Sequence, residues 1–170
     1  MTALTADNSR VFVLVTSQQN QGQPIYVLFT YNQVVEVRQP QGICHLPHAT
    51  PIIPAIFHYR GQVLPVFDVD AAVGGSGEIS APRQLIILRT EIREEMTGEN
   101  MKIAAITSSA LHHLRLNTSP DECKPQSPPR ELATSGLLQG YFSVAKGAMY
   151  VMLFDLEAIV RGDAFAGKIC

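Results

Sequence analysis

The 170-residue chain has no tryptophan, and its aromatic residues amount to 7% of the sequence and lie scattered along it. That argues against a stacking platform for single-stranded nucleic acid or sugars. Charge is also scarce, at 16% of residues, so much of the surface must be neutral polar or apolar. Thirteen basic and fifteen acidic residues leave a net charge of −2, and neither half is strongly basic. The electrostatic footprint of nucleic-acid binding is therefore missing. The three cysteines, Cys44, Cys123 and Cys170, form no Cys-x-x-Cys pair, as expected of reduced thiols in a cytosolic protein. No apolar run reaches the roughly 18 residues of a membrane span. The start, MTALTADNSR, has no apolar signal core. The expectation is a soluble, cytoplasmic protein without direct membrane insertion.

Recognisable catalytic patterns are missing too. Ser108, Ser109 and Ser143 have no Gly-x-Ser-x-Gly setting, and Gly74-Gly75-Ser76-Gly77 is followed by neither a Lys nor a helix start. Cys44, His45 and His48 lie close together, which leaves a small metal- or ligand-binding β-barrel as a distant reading. Zinc needs about four ligands on a defined scaffold, and no partner pair follows. His112 and His113 are neighbours, so in a strand they point to opposite faces. The residues thus point to no enzyme, no cofactor and no metal.

What is present is concentrated between Pro47 and Gly74. Pro51 and Pro54 keep the chain extended there. Gly61 is free to take a positive φ, which predicts a tight turn at Tyr59-Arg60-Gly61-Gln62. Val63 to Phe67 reads as a strand, and Pro65 inside it predicts an edge position or a bulge. Asp68 is placed to cap a short helix over 69–73, stopped by Gly74-Gly75. This arrangement recurs once: Phe154-Asp155-Leu156-Glu157-Ala158-Ile159-Val160 repeats Phe67-Asp68-Val69-Asp70-Ala71-Ala72-Val73. Lys146-Gly147 is a loose, off-by-one counterpart of Arg60-Gly61. Two related halves follow. Asp68 and Asp155 are better read as helix caps than as paired catalytic acids.

Elsewhere, Val11–Val15, Pro24–Tyr31, Gln84–Thr90, Met101–Thr107, Leu111–Leu116 and Ala148–Phe154 read as strands, and Val34–Arg38 as a strand or a single helical turn. Residues 17–23 read as a polar loop, 91–100 as an exposed hairpin loop, and the Pro-rich 117–129 as a surface loop or disordered segment. Eight or nine short strands with at most two short helices predict an all-β fold. Residues 1–10 and 161–170 are expected to be tails, 11–160 a single domain of two subdomains, and 74–82 the passage between halves.

Glu36 and Arg60 stand out because each sits in an apolar segment, where charge is costly unless paired or functional. A structural salt bridge between two strands and a polar mark in a docking groove are both consistent with them, and arginine is a common binding hot spot.

The stretch PHATPIIPAIFHYRGQVLPVFDVDAAVG resembles the signature of the CheW-like domain, the adaptor family of bacterial chemotaxis. Arg60-Gly61, Val63-Leu64-Pro65-Val66, Asp68 and Gly74 fall on that pattern in order. IYVLFTYNQVVEV is similar to the family's earlier strand, with Glu36 on its Glu, and LLQGYFSVAKGAMYVMLFDLEAIV to its closing segment, with Gly140 and Asp155 in place. Ala55 stands where the family has Gly, and His58-Tyr59 where it has Asn-Leu. The resemblance implies two interlocked five-stranded SH3-like β-barrels around a shared core, and no catalysis. It implies an adaptor between the cytoplasmic tip of a chemoreceptor and the regulatory domain of a CheA-type histidine kinase, possible recruitment to membrane receptor arrays, and a receptor groove near Glu36, Val37, Arg60 and Gly61. Pro65, Asp68, Gly74, Gly140 and Asp155 would be structural. The departures fit a paralogue serving a type IV pilus, phototaxis or other pathway as the alternative.

Overall fold

Successive residues along the apolar runs bury into different cores, which is why those runs do not alternate with polar residues. Leu85 and Ile87 enter one cluster while Ile86 and Leu88 enter another; Val11 and Val13 part in the same way from Leu14. A strand covered on both faces reads as continuous apolar sequence.

The computed structural model describes residues 8–74, 82–133 and 136–162. Its strands are β1 (Asn8–Asn20), β2 (Gln23–Thr30), β3 (Val34–Arg38), β4 (Ile43–His45), β5 (Ala55–Tyr59), β6 (Gln62–Asp68), β7 (Gln84–Arg93), β8 (Asn100–Thr107), β9 (His112–Asn117), β10 (Lys124–Pro125), β11 (Leu138–Val144) and β12 (Met149–Phe154). Three short helices join them: α1 (Val69–Ala72), α2 (Arg130–Ala133) and α3 (Leu156–Arg161). The first sheet has the order β9-β1-β2-β12-β11-β10, the second β3-β7-β8-β6-β5-β4. The two orders match strand for strand. Each sheet has one parallel pair at the same place, β2 with β12 and β8 with β6. The repeat read from the sequence is therefore an architectural one. Each sheet holds six strands where the resemblance implies five barrel strands; the added pieces are the three-residue β4 and the two-residue β10, each at an outer edge.

Each sheet curls on itself. Arg38 of β3 lies 5.6 Å from the centroid of the Phe57 ring of β5, although β3 and β5 are not neighbours in the sheet. In the first sheet, Leu114 and Leu116 of β9 pack into the same cluster as Phe142 of β11. The faces turned away from these inner cores meet in a shared core that draws on both sheets and all three helices. Phe67 and Phe154, the repeated phenylalanines, touch there edge to face at 5.0 Å.

Several sequence expectations need correction. Residues 17–20 continue β1, and the loop shrinks to Gln21-Gly22. The described residues form twelve strands, three α-helices and one 3-10 turn (Ala145–Gly147), more than expected, because β4, β10 and α2 are too short to carry a period. β6 is a central strand in spite of Pro65. Its ladder with β8 begins only at Val66, so at Pro65 that flank of the strand is uncovered and the missing N–H costs nothing. The 117–129 segment is ordered in part, with β10 laid on β11. Val34–Arg38 is a strand. Residues 75–81, most of the expected passage, lie outside the described residues, as do 1–7 and 163–170 of the expected tails. The strands flanking 74–82 both belong to the second sheet; the chain passes between sheets after β2 and after β8.

Candidate functional site

The hairpin β5–β6 closes through a two-residue turn, with Tyr59 paired to Gln62. Arg60 has φ 47° and Gly61 φ 81°. Two consecutive left-handed residues match the right-handed twist of the strands, a geometry that favours Asn-Gly or Gly-Gly. Gly61 meets this demand freely; Arg60 does not.

The curl of the second sheet brings β3 to this turn. Glu36 accepts a hydrogen bond from the Tyr59 hydroxyl at 2.9 Å and one from Arg60 Nη2 at 3.4 Å, both on Oε2. Its other oxygen, Oε1, lies 3.6 Å from Arg38 Nε. The Arg60 guanidinium also sits 5.0 Å over the Tyr59 ring, a cation–π distance. One carboxylate thus faces two guanidinium groups, and the cluster carries net positive charge. Burial pushes the Tyr59 hydroxyl above its ordinary pKa, and the Glu36 carboxylate pushes it the same way. Tyr59 therefore stays a neutral donor at physiological pH.

Burial grades across this cluster. Tyr59 is buried, the Glu36 side chain is 34% exposed, and the Arg60 side chain is 74% exposed. The carboxylate is held from below, and the guanidinium is presented to solvent. Val37 of β3 and Val63 of β6 are exposed apolar side chains on these same two strands. An exposed arginine held by a stacked ring, on strands that also expose valines, is chemistry for docking.

The arrangement brings Glu36 to Arg60; Gly61 is the second residue of the turn, and Val37 is exposed on β3. It adds Tyr59, Arg38 and Phe57, which sequence reasoning missed. Arg38 stands two residues after Glu36, and that spacing was the available signal. The structural residues fall in a second group. Asp68 accepts from the Ala71 N–H at 3.1 Å and Asp155 from the Ala158 N–H at 2.9 Å, so both are N-caps. Gly74 follows α1 and donates its N–H to the Ala71 carbonyl. Gly140 lies at a register shift of β11, where an added Cβ would stand 2.6 Å from Cε2 of Phe142. Pro65 lies on β6, opposite Ile56. Cys44, His45 and His48 are exposed, and no group of three His, Cys, Asp or Glu side chains gathers among the described residues.

Residues 8–164 match the CheW-like domain. The chain belongs to the CheW-like domain family. Among solved structures it is similar to the crystal structure of scaffolding protein TtCheW from Thermoanaerobacter tengcongensis. The TM-score is 0.61 at 17% identity, over 87% of this chain and 89% of that one, a likeness of fold. No curated protein sequence matches the chain. The Tyr59 hydroxyl makes the shortest contact to Glu36, at 2.9 Å.

Proposed function

We propose that this CheW-like chain is a non-enzymatic adaptor that couples the cytoplasmic tip of a chemoreceptor to the regulatory domain of a CheA-type histidine kinase. The observation that carries this reading is the Glu36–Tyr59–Arg60 cluster. Its carboxylate and phenol are held from within the fold, yet it offers a guanidinium to solvent from strands that also expose Val37 and Val63. A catalytic group would need a reacting atom to act on; a docking surface needs only shape, an anchor and a charge. The receptor tip would meet Glu36, Val37, Arg60 and Gly61. The kinase domain, implied to share the fold, would dock end to end against a barrel. No helix of the described residues is long and apolar enough to cross a membrane, so attachment to a receptor array would come through these contacts. Each contact is modest in area and weak alone, and gains strength by repetition in an array.

The test is a binding titration of the purified chain against a receptor-tip fragment and a kinase regulatory domain from the source cell. Wild type is expected to bind both, and Arg60→Glu to lose the receptor tip while keeping the kinase domain. Failure of the folded wild type to bind either would end the adaptor reading. Binding to a pilus or phototaxis receptor instead would reassign the pathway and keep the site.

A further inference from the structure

The hairpin β7–β8 outgrows its sheet. The β3 ladder on β7 ends at Leu88, and β6 meets β8 only from Ala104 onward. Beyond it the base of the hairpin is held by Arg89 N–H on the Gln33 carbonyl and Glu91 N–H on the Glu157 carboxylate, and the rest projects. The hairpin itself continues to the Arg93–Asn100 pair. β7 bulges between Arg89 and Arg93, so the arm is measured along β8: from Ile103 to Asn100, at about 3.4 Å per residue, it is roughly 10 Å long. Its tip is ordered. Glu94 N–H donates to the Glu99 carbonyl at 2.9 Å, Gly98 N–H to the Glu94 carbonyl at 2.8 Å, and the Thr97 hydroxyl to Glu94 Oε2 at 2.7 Å. On this tip Met96 is 95% exposed, flanked by Glu94, Glu95 and Glu99. Glu99 has Lys102 at 3.8 Å; Glu95 has no ion-pair partner among the described residues. With the exposed Arg93 at its base, the tip still carries three glutamates, and it is preorganised and capped by a bare thioether.

The complementary chemistry lies on the outer strands of the first sheet. Arg10 of β1 and Arg115 of β9 are directly opposite each other in the ladder, and both are exposed. Like charges in that position are unfavourable without an anion, and neither arginine has a carboxylate partner among the described residues. Two residues along on the same side, Phe12 is paired with His113. Tyr31, 54% exposed, stacks on Phe12 at 5.9 Å, with the His113 ring edge-on to Phe12 at 5.5 Å. The patch is two unneutralised guanidiniums beside an exposed aromatic cluster. Thioethers pack well on aromatic rings, and glutamates would neutralise the arginines.

We propose that the acidic arm tip of one copy docks on the Arg10–Arg115 and Phe12–Tyr31–His113 face of a second copy. Met96 would meet the aromatic cluster, and Glu94 and Glu95 the two arginines. The two surfaces are different patches of the same chain, so the contact is heterologous and repeats head to tail. It is separate from the Glu36–Arg60 site and stands or falls independently of it. One arm tip covers little area, so the association is weak and strongly salt-dependent.

The test is sedimentation of the full chain over a concentration series, at about 20 mM and about 500 mM salt, where screening differs severalfold in range. Wild type is expected to self-associate at low salt and to be monomeric at high salt. The doubly substituted chains Glu94→Lys/Glu95→Lys and Arg10→Glu/Arg115→Glu are each expected to weaken association by about tenfold or more, because each sets like charges against each other. All four residues are exposed, and unchanged thermal melting will report intact folds. Mixing the two variants restores opposite charges between unlike copies and should restore association. A wild type that stays monomeric at low salt, association that survives either charge reversal, or a mixture that fails to associate overturns the proposal.

Discussion

Arg60 occupies a backbone position that suits it poorly. Its φ of 47° in a two-residue turn would be met without strain by Asn or Gly. A left-handed conformation costs an ordinary residue about 1–2 kcal/mol. The ion pair with Glu36 does little to offset this, since Arg60 is largely exposed and surface pairs contribute about 0–1 kcal/mol. Arg60→Asn should therefore raise the unfolding free energy by about 0.5–1 kcal/mol. The same substitution should weaken receptor-tip binding, and both effects can be read from one protein by chemical denaturation and titration. If Arg60→Asn destabilises the fold, the side chain is structural and the docking role loses its basis. Tyr59→Phe probes the support beneath it: loss of one hydrogen bond to a charged group should cost about 1.5–3 kcal/mol, measured in the same way. Glu36 and Arg60 were legible in the sequence because each is a charge among apolar residues. Tyr59 and Arg38 were not, because their roles depend on a curl that brings the two ends of the sheet together.

At the scale of elements, the two Asp caps invite a paired test. Asp68 and Asp155 each receive one N–H from three residues on, and truncation to Ala should cost about 1 kcal/mol apiece. The caps differ in electrostatics. Burial pushes the Asp68 carboxyl above its ordinary value of 3.8, with Asp70 adding in the same direction and the cap hydrogen bond opposing. A carboxyl whose folded pKa is raised binds its proton more tightly in the native state. Its contribution to stability is then greatest below about 3.8 and is lost as pH rises through the raised value. Asn caps as well as Asp and carries no charge. Asp68→Asn should therefore be at least as stable as wild type at neutral pH, and the difference should shrink or reverse as pH falls below about 3.8. Melting curves of both proteins across that range decide it; a gap that widens on acidification would contradict the assignment. The cap itself was legible from Phe-Asp followed by a short apolar run. The central placement of β6 was not, because a proline one residue before a ladder begins looks in sequence like a proline inside one.

At the scale of the whole molecule, the repeat governs how the halves are joined. Beyond the caps, the Asp68 N–H donates to the Ile52 carbonyl and the Asp155 N–H to the Leu137 carbonyl. Asp70, two residues after the first cap, accepts from the Ser108 N–H, and Glu157, two after the second, accepts from the Glu91 N–H. The pairing extends beyond the short match in sequence, since residues such as Ile52 and Leu137 supply only their backbone to it and leave no mark in the amino-acid order. The join itself is a shared core with Phe67 and Phe154 in edge-to-face contact at its centre. Phe67 is wholly buried and Phe154 is 3% exposed, so replacement of either by Ala should cost about 3–5 kcal/mol. Sheets that share one core cannot lose it separately, and unfolding should be a single cooperative transition by circular dichroism and by calorimetry. In a double-mutant cycle of Phe67→Leu and Phe154→Leu, which spares the fold a full truncation, the two rings should show a coupling of about 0.5–1.5 kcal/mol. Two resolved transitions in wild type, or a coupling of zero, would mean that the halves are joined by adjacency alone and that each sheet stands on its own inner core.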